Sequence, residues 1–134
     1  MTEEPLPPPP DLGLEPDIAE LVAALHEAPL EDDGALDRRL QAHLDKIRHV
    51  AHEDDYLDIG LVERIGEALE RLIEASAERS DEDRRLVHTA VRYFIHEHDA
   101  VDDLSSPTGF DDDAMVVSAV ARYLNLADLL PRGL

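Results

Sequence analysis

Three shortages narrow the chemistry open to this chain of 134 residues. Cysteine is absent, which excludes disulfide bridges, thiolate zinc sites and cysteine nucleophiles. Basic residues are few: 12 lysines and arginines stand against 32 aspartates and glutamates, so the formal net charge is −20. Nucleic acids and anionic lipid surfaces are bound through basic faces, so we expect neither as a partner.

The chain also lacks a long apolar run. The longest one, 114–124, is interrupted by Ser118 and Arg122, and it is shorter than the roughly 20 residues that span a bilayer. The first residues, Met-Thr-Glu-Glu, have neither the basic nor the apolar region of a signal peptide. We therefore expect a cytoplasmic protein without membrane insertion.

The first sixteen residues are rich in proline, with Pro5, a run at 7–10 and Pro16. Such a run favours polyproline II and cannot join a helix interior. We predict a flexible tail over 1–16 that packs on little of the protein, followed by a single helical domain over 17–134.

Apolar residues recur at helical spacing in five later segments, and no segment alternates like a half-buried strand. The pattern predicts an all-α bundle of four main helices plus a short N-terminal one. The first predicted helix covers 17–28, and the second runs from Gly34 or Ala35 to 51. The third begins after Asp58, and the fourth runs from a Ser80–Asp83 capping box to about His96. The fifth begins near Asp112. The fourth has the widest apolar face and is predicted to be central, while Gly66 in the third permits a close helix crossing.

The loop before the last predicted helix is unusually acidic. Between Tyr93 and Ala121 the sequence has no lysine or arginine. Dense carboxylates repel one another unless they are capped, hydrogen-bonded or bound to a cation. Seven acidic residues fall in this stretch: Glu97, Asp99, Asp102, Asp103, Asp111, Asp112 and Asp113.

This region resembles a known family. The matching residues are Tyr93-Phe94-Ile95, then Asp99 and Asp103, then Gly109 with Asp112 and Asp113 before a second apolar helix. The pattern is similar to that of the YkvA-like bacterial family, a domain of unknown function, over about 88–124. The resemblance implies a helical hairpin and no particular reaction.

Three interpretations of the acidic loop stay open. In a structural one, Asp111 or Asp112 caps the last helix and Asp113 meets its positive dipole end. In a second, Asp99, Asp103, Asp112 and Asp113 converge on Mg²⁺ or Ca²⁺, which prefer carboxylate oxygens. In a third, Asp102 and Asp111 face a protein partner.

Signatures of catalysis are missing from the sequence. His49 with His52, and His96 with His98, form no HExxH motif, and neither a G-x-S-x-G elbow nor a phosphate-binding G-x-x-x-x-G-K loop is present. The sequence therefore favours a non-enzymatic interaction or regulatory module whose partner is a basic protein. The alternatives are a divalent-metal-binding protein with hydrolytic chemistry, and an immunity or antitoxin-like inhibitor of a basic protein. Association with a second copy stays open.

Overall fold

The computed structural model describes residues 9–51, 59–97 and 110–134, and these residues form five α-helices and no strand. A short 3₁₀ helix, Ala127–Leu129, follows the last of them. The prediction of an all-α bundle with a short N-terminal helix is confirmed. The helices are α1 (Pro16–His26), α2 (Asp33–Ala51), α3 (Ile59–Ser76), α4 (Asp81–Glu97) and α5 (Asp111–Tyr123).

Helix α4 lies at the centre of the bundle, as its wide apolar face predicts. It packs against α1, α2, α3 and α5. Residues 86–94 are all buried, so this helix also places its polar side chains, among them His88 and Arg92, in the interior. These buried polar groups need hydrogen-bond partners.

Helices α2 and α3 cross closely at Gly66, as expected. A Cβ atom at this position would lie 2.8 Å from Cδ1 of Leu44 on α2, so only glycine allows the crossing without a shift. One largely apolar face of α3 is buried along its whole length. Its members are Val62, Ile65, Leu69, Leu72 and Ser76.

Local capping decides where α2 and α4 begin. The Asp83 N–H donates to Ser80 Oγ at 3.2 Å, which confirms Ser80 as the cap of α4. Helix α2 begins one residue before the predicted start, because Asp32 Oδ2 accepts the Ala35 N–H at 3.0 Å and caps the helix. Asp58, the predicted cap of α3, lies outside the described residues.

Two helix ends also have clear local causes. Helix α1 ends at His26, two residues before the predicted end, and the proline at position 29 disfavours helical backbone at Ala28. At the end of α5, Asn125 adopts a left-handed conformation with φ 59°. The Leu126 N–H then bonds to the Ala121 carbonyl at 2.7 Å, as in a Schellman motif, and Leu126 packs against the core.

The proline-rich segment packs against the protein more than predicted. Residues 1–8 of the predicted tail lie outside the described residues. In the remainder, Leu12 and Leu14 pack against the hydrophobic core. This contact corrects the prediction that the whole of 1–16 packs on little: two leucines next to the prolines have apolar area to bury.

None of the helices in the described ranges 9–51, 59–97 and 110–134 is both long and apolar enough to cross a bilayer.

Candidate functional site

The three aspartates at the start of α5 occupy different environments. Asp111 is exposed, Asp112 is half-buried, and Asp113 is fully buried. All three lie in the first helical turn, where a carboxylate meets the positive end of the helix dipole. Asp112 and Asp113, although neighbours in sequence, thus differ in burial.

The predicted capping role of Asp111 or Asp112 is wrong. The N-cap position of α5 is Phe110, and no side chain caps the helix there. Phe110 is buried and its ring lies 6.3 Å from that of Phe94 on α4. The aspartates therefore fall inside the helix instead of ahead of it.

The predicted metal ligands are only partly described. Asp99 and Asp103, and also the partner-binding candidate Asp102, lie outside the described residues. Where the structure does describe the chain, it brings together no group of three or more histidines, aspartates or glutamates that could hold a metal ion. The four-aspartate site therefore stays a prediction.

A buried polar network between α4 and the start of α2 is the main feature that the sequence analysis missed. Its most deeply placed cation is Arg92, which is 7% exposed. The Arg92 guanidinium donates to Glu31 Oε2 from Nε at 3.0 Å and from Nη2 at 2.8 Å. Nη2 also donates to the Pro29 carbonyl at 2.5 Å. Arg92 thus ties the α1–α2 connection to the central helix.

A second arginine of α4 closes the end of α1. Arg85 Nη1 donates to the Ala28 carbonyl at 3.0 Å and to the His26 carbonyl at 3.3 Å. The last carbonyls of a helix have no partner within the helix, and a cation there also complements the helix dipole. Arg85 therefore stabilises the C-terminal end of α1.

His88 lies beside these arginines and is fully buried. Its Nε2 lies 2.7 Å from Asp33 Oδ1, and its Nδ1 accepts the Glu31 N–H at 3.5 Å. These two partners select the tautomer with the proton on Nε2. Arg84 approaches the same Asp33 oxygen at 3.4 Å, so Asp33 joins a histidine and an arginine of α4 to the start of α2.

The environment of this network shifts its pKa values in a consistent way. Burial lowers the pKa of His88, and the nearby Arg92 and Arg84 act in the same direction against the opposing effect of Asp33. Burial would raise the pKa of Asp33, but the hydrogen bonds from His88 and Arg84 and the charge of Arg84 outweigh it and lower that pKa. The folded protein therefore holds a neutral imidazole against an ionised carboxylate.

The His88–Asp33 pair resembles a general-base arrangement but is built for stability. A catalytic histidine needs one ring nitrogen directed at a substrate. Here Nδ1 faces a backbone N–H, Nε2 faces Asp33, and no part of the imidazole is exposed. The sequence did carry a signal for this network, because Arg85, His88 and Arg92 recur along one helix at steps of three and four residues.

Comparison with other proteins adds no relative: no family model, no curated protein and no solved structure matches the chain.

Proposed function

We propose that this protein is a non-enzymatic interaction module that binds a basic protein partner through its acidic surface. The observation that carries the proposal is the way the chain uses its cations. Most of its arginines bond within the fold, to carboxylates or to backbone carbonyls. They are Arg39, Arg48, Arg71, Arg79, Arg84, Arg85 and Arg92.

As a consequence, few cations on the surface are available to bind a partner. A guanidinium that is paired with a carboxylate of the fold adds little positive potential to the surface. The carboxylates greatly outnumber the cations, as the net charge of −20 shows. An excess of one sign steers a partner of the opposite sign and raises its association rate.

The first turn of α5 supplies a defined acidic position on this surface. Asp111 is exposed and Asp112 half-buried, and neither is used as a helix cap. Asp111 was a partner-binding candidate from the sequence, and its exposure supports that role.

A partner captured with the purified chain as bait allows a kinetic test. We expect its association rate to fall roughly tenfold or more between about 0.05 M and about 0.5 M salt, because exposed charges are screened. Asp111→Asn should slow association with little loss of stability, since a first-turn carboxylate contributes only about 0.3–1 kcal/mol. Stopped-flow kinetics measures both effects.

The matched control is Asp81→Asn. Asp81 is the first residue of α4 as Asp111 is of α5, and both are exposed. We expect the control to slow association less than Asp111→Asn does. A rate that is independent of salt and insensitive to Asp111→Asn would contradict the proposed function.

A further inference from the structure

An open groove of about 770 Å³ follows the outer face of α5. Its floor contains Met115, Ala119 and Tyr123, which lie at four-residue steps and so form one stripe along the helix. Residues 11–15, with Leu12 and Leu14, form one wall, and Leu134 at the C-terminus contributes to the lining. An apolar stripe therefore runs along the groove, and charged side chains also line it.

The stripe is exceptional for this molecule. Among the residues that the structure describes, three large hydrophobic side chains are exposed, namely Ile59 at 36%, Met115 at 51% and Tyr123 at 53%. Two of the three lie in this groove. Exposed large apolar side chains are thus concentrated at this groove, where binding of a partner would bury them.

Charge around the groove indicates the kind of occupant. Asp11 and Glu15 line one wall and are exposed. Asp111 lies one helical turn before Met115 on the same face of α5. Arg122 is the cation among the lining residues. Three carboxylates thus surround the apolar stripe, with one cation near its C-terminal end.

We propose that this groove binds a basic amphipathic helix of the partner protein. This deepens the proposed function and rests on it. From Met115 to Tyr123 the stripe spans about 12 Å, which matches two turns of a helix with apolar residues at i, i+4 and i+7 or i+8. Lysines or arginines of that helix would face Asp11, Glu15 and Asp111 and avoid Arg122. A second copy fits poorly, because it would add another charge of −20.

A peptide probe tests the groove directly. The probe is a fluorescein-labelled peptide of leucine and lysine, longer than about 15 residues so that it forms a helix, with its leucines on one face. A scrambled peptide of the same composition lacks that face. Fluorescence anisotropy should show that the amphipathic peptide binds more tightly than the scrambled one.

Matched variants then locate the binding site. Met115→Gln and Tyr123→Gln each remove exposed apolar contact without changing charge, and we expect each to weaken binding of the amphipathic peptide roughly tenfold. Ile59→Gln removes an exposed apolar side chain outside the groove and should leave binding unchanged. Circular dichroism of each variant should be that of the parent protein.

The outcomes separate this inference from the proposed function. If the amphipathic peptide binds in a salt-dependent way but Met115→Gln and Tyr123→Gln leave its affinity unchanged, the groove is not the site, and binding to a basic partner stands. Equal affinity for the amphipathic and scrambled peptides also overturns the groove. If neither peptide binds at low salt, both the groove and the proposed function fail.

Discussion

Arg92→Ala is expected to lower the free energy of unfolding by about 3 kcal/mol, which is the usual cost of removing one partner of a buried, charged hydrogen-bonded pair. Arg92 is almost wholly buried and bonds to Glu31 and to the Pro29 carbonyl. Its loss leaves Glu31 Oε2 and the Pro29 carbonyl without the Arg92 donor, and it leaves a gap beside α4. Urea denaturation followed by far-UV circular dichroism measures the change.

The same glutamate provides a matched control. Arg39 Nη1 contacts Glu31 Oε1 at 2.5 Å, but its side chain is 51% exposed. An exposed ion pair contributes only about 0–1 kcal/mol, so Arg39→Ala should have a small effect. Equal losses for Arg92→Ala and Arg39→Ala would show that burial of the Arg92 network does not stabilise the fold.

His88→Ala is expected to lower the free energy of unfolding by about 2–4 kcal/mol, because it removes a fully buried side chain together with its hydrogen bonds. Asp33 and the Glu31 N–H both lose a partner. His49, exposed on α2, is the control, and His49→Ala should have almost no effect. Equal stabilities of the His88→Ala variant and the parent protein would contradict the structural role of His88.

The parent protein should also lose stability in mild acid. Burial lowers the pKa of His88 in the fold, so the unfolded chain binds the proton first as the pH falls below about 6.5. The contribution of the neutral imidazole is thus fully present above that pH and is lost as the pH falls through the lower, folded pKa.

The pKa of His26 is shifted in the same direction, because burial and the charge of Arg85 both lower it. Both histidines therefore contribute to the pH dependence of the parent protein's free energy of unfolding. Removing His88 should make the profile between about pH 7 and about pH 5 shallower without flattening it. Denaturation midpoints measured across this range for the parent protein and His88→Ala give the comparison, and identical slopes would contradict the assignment.

The fold was predictable because its determinants are local. Apolar spacing along a segment shows which face is buried, and it predicted the five helices and the central position of α4. The Ser80 cap depends on a side chain and a backbone group only three residues apart. The Gly66 crossing was predictable from the lack of a side chain at one position of a buried helix.

The polar network and the start of α5 were harder to predict, and the residues of the network lie far apart in sequence. Arg92 and Glu31 are separated by 61 residues, and His88 and Asp33 by 55, so a single sequence does not show that they meet. The sequence also does not show that Phe110, and not an aspartate, precedes α5. The α5 groove depends on three separate segments, 11–15, α5 and the C-terminus.

Docking of a basic partner on the groove of α5 is tested most directly by nuclear magnetic resonance of the isotope-labelled protein, titrated with the amphipathic leucine–lysine peptide. We predict that the largest chemical-shift changes occur at Met115, Ala119 and Tyr123. Changes centred instead on the exposed carboxylates of α3, such as Glu70 and Glu74, with no change in the groove, would contradict docking at this site.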